Sequence, residues 1–222
     1  MHDVTSFEGG FLHIPDAPPG DGLVLTHGAG SNCGAPLLVA VAEAFCAAGI
    51  AVLRCDLAFR QARPHGPPFP AMAAQDRAGL ARAVRAMRGR VPGKVFLGGH
   101  SYGGRQASML AAEEPDLADG LVLLSYPLHP PRRPAQLRTA HFAKLTTPAL
   151  FVHGTRDPFG SVGEMRAAVA GIGGPHEMVV VEGAGHDLRG VRVAGMVVEG
   201  FRGWQERVLE DPRRPGGLPH TA

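Results

Sequence analysis

Short apolar runs recur along the chain, separated by segments with helical periodicity. LVLTH at 23–27, IAVLR at 50–54, KVFLGG at 94–99, LVLLSY at 121–126, PALFVHG at 148–154 and EMVVVEG at 177–183 mark six strands. Several are continuously apolar rather than alternating, as strands covered on both faces are. Between them, residues 36–48 place Leu37, Val41, Phe45 and Ala48 on one helical face. Residues 71–88 do the same with Leu80, Ala83, Val84 and Met87. Further helices are expected at 102–112 and 161–170. A last one at 191–209 carries Val193, Val197, Phe201, Trp204 and Val208 toward the core. Segments 59–70 and 127–140 are rich in Pro and Arg and read as loops. Strand and helix alternate from about residue 22, which predicts an α/β fold: a mostly parallel sheet with helices on both faces.

No internal repeat or linker divides the chain, so residues 1–210 read as a single domain. The tail 211–222, DPRRPGGLPHTA, reads as disordered. At 222 residues the chain can bury a substantial core. The net charge of +2 is too small to argue for nucleic acid. Arg77, Arg82, Arg85 and Arg88 form a basic helix face, but no aromatic residues interleave, so a solvated face is the preferred reading. No apolar run could span a bilayer, and MHDVTSFEGG lacks the features of a signal peptide. A soluble cytoplasmic protein is expected. The cysteines are Cys33, Cys46 and Cys55, an odd number without Cys-x-x-Cys. They suggest neither a disulfide framework nor zinc. Cys33 lies just past a Gly-rich loop, yet a catalytic thiol is disfavoured because a serine already fills that role. No metal and no cofactor are expected, since the histidines show no ligand spacing.

That serine is Ser101, in Gly99-His100-Ser101-Tyr102-Gly103, between an apolar strand and a helix. A sharp strand-to-helix turn would expose its hydroxyl. Sites in open parallel sheets gather beyond the carboxyl ends of strands. After 148–154 comes Asp157, and after 177–183 comes His186. The order Ser, Asp, His matches one known triad arrangement. Ser101 would attack an acyl carbonyl, His186 would carry its proton, and Asp157 would orient the imidazole. Asp187 adjoins His186 too closely to reach the far ring nitrogen. His100 is expected to pack under the turn. The oxyanion would be held by the backbone N–H groups of Tyr102 and of Ala29, in His27-Gly28-Ala29-Gly30, with Gly30 as the other option for the second.

These stretches resemble the α/β-hydrolase superfamily, over about residues 22–209. Within it, LTHGAG, VFLGGHSYGGRQAS, LSYPLHPP followed by Leu137-Arg138, and LFVHGTRDPFG are similar to a small lidless group. That group includes bacterial hydrolases and Tex30/KAT8-complex-subunit-3-like proteins. The resemblance implies a serine-hydrolase fold with Ser101, Asp157 and His186 in the triad positions, and it implies no substrate. Dienelactone hydrolases, more distant, carry cysteine where this chain has Ser101.

The stretch after Tyr126 is too short for a cap domain, which predicts an open site. Tyr126, Pro127 and Leu128 are expected to line one wall, with Phe59 and Phe159 as weaker candidates. Arg132, Arg133 and Arg138 could meet a carboxylate or phosphate, though solvent exposure is the preferred reading. The leading function is cleavage of a small-molecule carboxylic ester or thioester through an acyl-serine intermediate. A non-catalytic interaction module on the same fold, and acyl transfer to another acceptor, stay open.

Overall fold

The computed structural model describes residues 3–7, 9–190 and 192–209. The predicted tail at 211–222 lies outside them. Eight strands form one sheet in the order β1-β2-β4-β3-β5-β6-β7-β8. They are β1 (Asp3–Phe7), β2 (Gly10–Ile14), β3 (Gly22–Thr26), β4 (Ala51–Cys55), β5 (Val95–His100), β6 (Gly120–Leu124), β7 (Ala149–Gly154) and β8 (His176–Val181). From β4 to β8 every neighbouring pair is parallel, while β1–β2 and β2–β4 are antiparallel. The helices are α1 (Pro36–Ala47), α2 (Ala58–Ala62), α3 (Ala73–Arg88), α4 (Tyr102–Glu113), α5 (Val162–Val169) and α6 (Val193–Trp204).

Alternate residues of each central strand feed two separate cores. Val24, Leu97 and Phe151 face the layer of α3, α4 and α5, with Leu80, Val84, Leu110 and Met165. Leu25, Phe96 and Val152 face α1 and α6, with Val41, Phe45, Phe201 and Trp204. This two-sided burial explains the continuously apolar strands. The boundaries of α1 follow local chemistry: Pro36 opens it and Gly49, at φ 90°, follows its end. Ser161 and Glu164 form a reciprocal capping box at the start of α5.

Three expectations change. The antiparallel β1–β2 hairpin precedes the point where alternation was expected to begin. Segment 59–70 is not all loop, because α2 occupies Ala58–Ala62 with Phe59 and Arg60 buried. The inner face of α1 is centred on Leu38, Val41, Ala42, Phe45 and Cys46, so Leu37 and Ala48 stand at its margin. Three of the four arginines on the basic face of α3 meet acids, Arg77 with Glu113, Arg85 with Glu114 and Arg88 with Asp119, and among the described residues Arg82 has no ion pair. No helix among the described residues is long and apolar enough to cross a membrane. The only regular structure in 127–147 is a single 3-10 turn at Phe142–Lys144, so no cap domain covers the sheet edge.

Candidate active site

Ser101 joins β5 to α4 with φ 52° and ψ −116°, a backbone region that serine rarely adopts. Close packing holds the turn. A Cβ on Gly99 would lie 2.6 Å from the Gly103 carbonyl carbon, and one on Gly103 would lie 2.5 Å from the His27 carbonyl oxygen. Neither position has room for a side chain. The Ser101 N–H donates to the Leu124 carbonyl at 2.9 Å, which ties the turn to β6.

The Ser101 Oγ lies 2.8 Å from His186 Nε2, and His186 Nδ1 lies 2.8 Å from Asp157 Oδ2. A carboxylate only accepts, so Nδ1 carries the proton and Nε2 accepts from the serine hydroxyl. The Asp157 side chain is fully buried. Its other oxygen accepts the Phe159 N–H at 2.8 Å, which fixes the carboxylate plane. The loops after β7 and β8 are laced together: Thr155 N–H reaches the Val181 carbonyl at 3.1 Å and Arg156 N–H the Ala184 carbonyl at 2.9 Å. Asp187 points elsewhere and pairs with Arg189 at 3.1 Å.

The His186 ring sits between Phe159, at 4.1 Å between centroids, and His100, at 5.2 Å. His100 Nε2–H donates to the His186 backbone carbonyl at 2.8 Å. Burial lowers the His100 pKa, aided by the nearby His186 charge and opposed by that hydrogen bond. A neutral His100 braces the loop without repelling a cation on His186.

The loop after β3 is positioned by a residue that the sequence reading left without a role. Leu57 N–H donates to His27 Nε2 at 3.1 Å, so His27 Nδ1 carries the proton and donates to the Gly28 carbonyl at 2.8 Å. The Ser31 N–H donates to the same carbonyl at 3.1 Å. With the Gly28 carbonyl held from two sides, the trans peptide plane aims the Ala29 N–H the opposite way. Burial lowers the His27 pKa despite Asp56 nearby, which keeps this donor pattern at neutral pH. Arg60 fixes the next peptide by donating to the Ala29 carbonyl at 3.1 Å. Gly28 lies against Ser101: a Cβ there would be 3.5 Å from Ser101 Cβ. Tyr102, the first residue of α4, has a backbone N–H with no intrahelical acceptor. The His-Gly dipeptide after a strand was the available signal for His27.

An open cleft of about 590 Å³ surrounds these groups. Ser101, His186, Ala29, Tyr102, Phe159 and Pro127 are among its walls. Tyr126 and Leu128, expected in the same wall, are instead fully buried in the core. The Tyr126 ring packs 5.3 Å from Phe142 and 6.0 Å from Phe151, because 127–147 folds back over β7 and α4 and turns its apolar side inward. Phe59 is likewise buried, edge-on to Tyr102 at 5.8 Å. Arg138 reaches the cleft; Arg132 and Arg133 are exposed away from it. Arg105, not singled out from the sequence, lines it as well.

A family model described as an alpha/beta hydrolase domain matches residues 20–201. The chain belongs to the α/β-hydrolase family. Among solved structures of this α/β-hydrolase fold, a dienelactone hydrolase from Anabaena variabilis is similar at 21% identity and TM-score 0.72, covering 94% of this chain and 98% of its own. Est1E from Butyrivibrio proteoclasticus, bound to ferulic acid, is similar at 17% identity and TM-score 0.73, covering 91% and 96%. The esterase domain of a Rhodothermus marinus protein gives 18% identity and TM-score 0.68, covering 93% and 98%. At these identities the likeness is one of fold.

The cysteines of this α/β-hydrolase contribute no reactive thiol to the cleft. All three are free and buried. Burial, then the Asp56 charge, pushes the Cys33 thiol up to about 11, and burial pushes Cys55 up to about 12. Both therefore stay protonated at neutral pH. Among the described residues, no group of three His, Cys, Asp or Glu is arranged to hold a metal ion.

Proposed function

We propose that this protein is a serine hydrolase that cleaves a carboxylic ester or thioester through an acyl-serine intermediate. The observation that carries the reading is the unbroken line from Asp157 through His186 to Ser101, with 2.8 Å at each contact, ending at a strained turn in an open cleft. Ser101 Oγ adds to the acyl carbonyl as its proton passes to His186 Nε2. Asp157 stabilises the imidazolium and holds its orientation. The tetrahedral oxyanion takes hydrogen bonds from the Ala29 and Tyr102 N–H groups. His186 then protonates the departing alkoxide or thiolate. Water, deprotonated by His186, releases the acid and restores the serine.

The neighbouring folds named as esterase and dienelactone hydrolase support ester chemistry, and the absence of a cap domain supports a small or extended substrate. A fluorophosphonate probe should label the wild type and fail to label Ser101→Ala. A folded wild-type sample that remains unlabelled at neutral pH sinks the reading.

A further inference from the structure

Two arginines, Arg105 and Arg138, line the cleft, and its one carboxylate, Asp187, is held by Arg189 at 3.1 Å. Arg105 stands one helical turn beyond the nucleophile on α4, and its N–H donates to the Ser101 carbonyl at 2.9 Å. Four residues of helix place it about 6 Å along the axis from Ser101. Arg138 comes from the segment after β6; its Nη1 donates to the Pro127 carbonyl at 3.3 Å, and the Tyr126 hydroxyl donates to the Arg138 carbonyl. Both line the Ser101 cleft. Both also line an adjoining cleft of about 480 Å³ that runs past Met109, Leu137 and His141. They therefore stand at the junction of the reactive centre and an outer groove.

Their charges are poorly compensated. Among the described residues, no carboxylate forms an ion pair with either, although Arg77, Arg85, Arg88, Arg189 and Arg207 each have one. Glu113 reaches the outer groove, but its carboxylate holds Arg77 at 2.9 Å. Arg105 Nε is buried and has no hydrogen-bond partner among the described residues. Burial and then the Arg105 charge lower the pKa of both Arg138 and His141. Two half-buried cations lining the same cleft cost stability unless an anion joins them.

We propose that Arg105 and Arg138 bind a carboxylate carried by the substrate, which makes the preferred substrate an acidic ester or thioester. This deepens the serine-hydrolase reading and rests on it. The inner cleft offers two planar, forked guanidinium groups and no lysine, a donor set that suits a flat carboxylate in two-pronged contact. With the carboxylate held about one helical turn from Ser101, binding the acid also brings the scissile carbonyl to the serine.

The test compares acids with their own neutral esters. Monomethyl glutarate against dimethyl glutarate carries the charge on the acyl side. 3-Acetoxypropionate against its methyl ester carries it on the leaving-group side. Wild type should favour the acid in at least one pair by about tenfold or more in kcat/KM, the factor expected of a charge-assisted contact. Arg105→Gln and Arg138→Gln should each cut that preference at least about fivefold, while the distant Arg85→Gln leaves it in place. Thermal melting checks that each variant folds. Should Arg138→Gln fail to fold, because its Pro127 contact is lost, Arg138→Lys should retain part of the preference. A second readout needs no turnover: calorimetry of glutarate on Ser101→Ala should detect binding that disappears when Arg105→Gln is added. A wild type that takes the probe yet prefers the neutral ester in both pairs overturns the subsite and leaves the hydrolase reading standing. An enzyme that takes no probe but binds glutarate through Arg105 overturns the chemistry and keeps the anion site. Tighter binding of inorganic phosphate than of glutarate overturns the assignment to a carboxylate.

Discussion

Arginines serve two different surfaces on α3 and α4. On the outer surface, Arg77, Arg85 and Arg88 of α3 reach across to Glu113, Glu114 and Asp119, and the local charge closes on itself. On the surface that faces Ser101, Arg105 and Arg138 have no such partners, although both are more enclosed than Arg85. Arginine count alone would treat these as one basic protein. The placement separates a face paired with acids from a cleft whose one carboxylate, Asp187, is held by Arg189 and forms no ion pair with Arg105 or Arg138. Exposed pairs are screened by water and salt and contribute little, whereas a partly desolvated cation lining the Ser101 cleft acts on whatever binds there.

The largest expected effect separates chemistry from charge. Ser101→Ala should reduce ester turnover by about 10⁴-fold or more, the scale of losing a triad nucleophile. The same variant should still hold glutarate, because Arg105 and Arg138 are untouched. Steady-state kinetics and calorimetry on one preparation measure both. If the alanine variant lost glutarate binding while remaining folded, the arginines would no longer form a site independent of the serine.

A third kind of arginine sharpens the contrast by stability rather than activity. Arg60 is buried and donates to the carbonyls of Ser31, Ala29, Arg63, Pro64 and Gly66. It acts as a hub that fixes the loop after β3, not as a surface charge. Arg60→Met would remove five hydrogen bonds to half-buried and exposed loop carbonyls, at a cost of about 3 kcal/mol. Urea unfolding should show that loss, and kcat should fall with it as the Ala29 peptide loosens. A neutral result would mean that the loop is held by His27 alone.

Arg60 also marks where the sequence stops being informative. The six parallel strands were legible because most are apolar on both faces, and the order of Ser101, Asp157 and His186 was legible because each follows a strand. The β1–β2 hairpin was not: most of its residues are exposed, and Leu12 joins the apolar core with Phe7 packed against it, too few positions to make a hydrophobic pattern. Segment 59–70 looked like surface because Arg and Pro usually are, yet backbone carbonyls draw Arg60 inward. Tyr126 and Leu128 failed as wall residues because an apolar residue after a strand can face the cleft or the core. Only the path of 127–147 decides between them. Arg105 was hidden in a helix whose register could be read but whose neighbour, Arg138, lies 33 positions away.

A pH series reads the uncompensated charge from a different direction. His141 lies in the outer groove, and burial, then the Arg105 charge, lower its pKa to about 4 from an ordinary 6.5. Between those values the unfolded chain binds the proton and the native chain does not, so stability rises with pH across that window. The contribution is complete above about 6.5 and is lost as pH falls toward 4. His141→Asn should flatten the dependence of Tm on pH in that interval. Arg105→Gln should flatten it in part, since one of the two causes is removed. An unchanged slope in Arg105→Gln would show that an anion already screens that charge in solution.

The smallest effect belongs to the outer face, and its smallness is the point. Arg85 and Glu114 approach to 2.6 Å, but their side chains are 60% and 44% exposed. Water and salt screen such a pair, and ordering two long side chains offsets much of the attraction. A double-mutant cycle with Arg85→Ala and Glu114→Ala should return a coupling of about 0.5 kcal/mol or less, shrinking further at high salt. The acid-over-ester preference of the enzyme should not move in any of the three variants. A coupling of several kcal/mol, or a shifted preference, would mean that the two arginine surfaces communicate through α4. The division between an acid-paired face and an anion-seeking cleft would then have to be withdrawn.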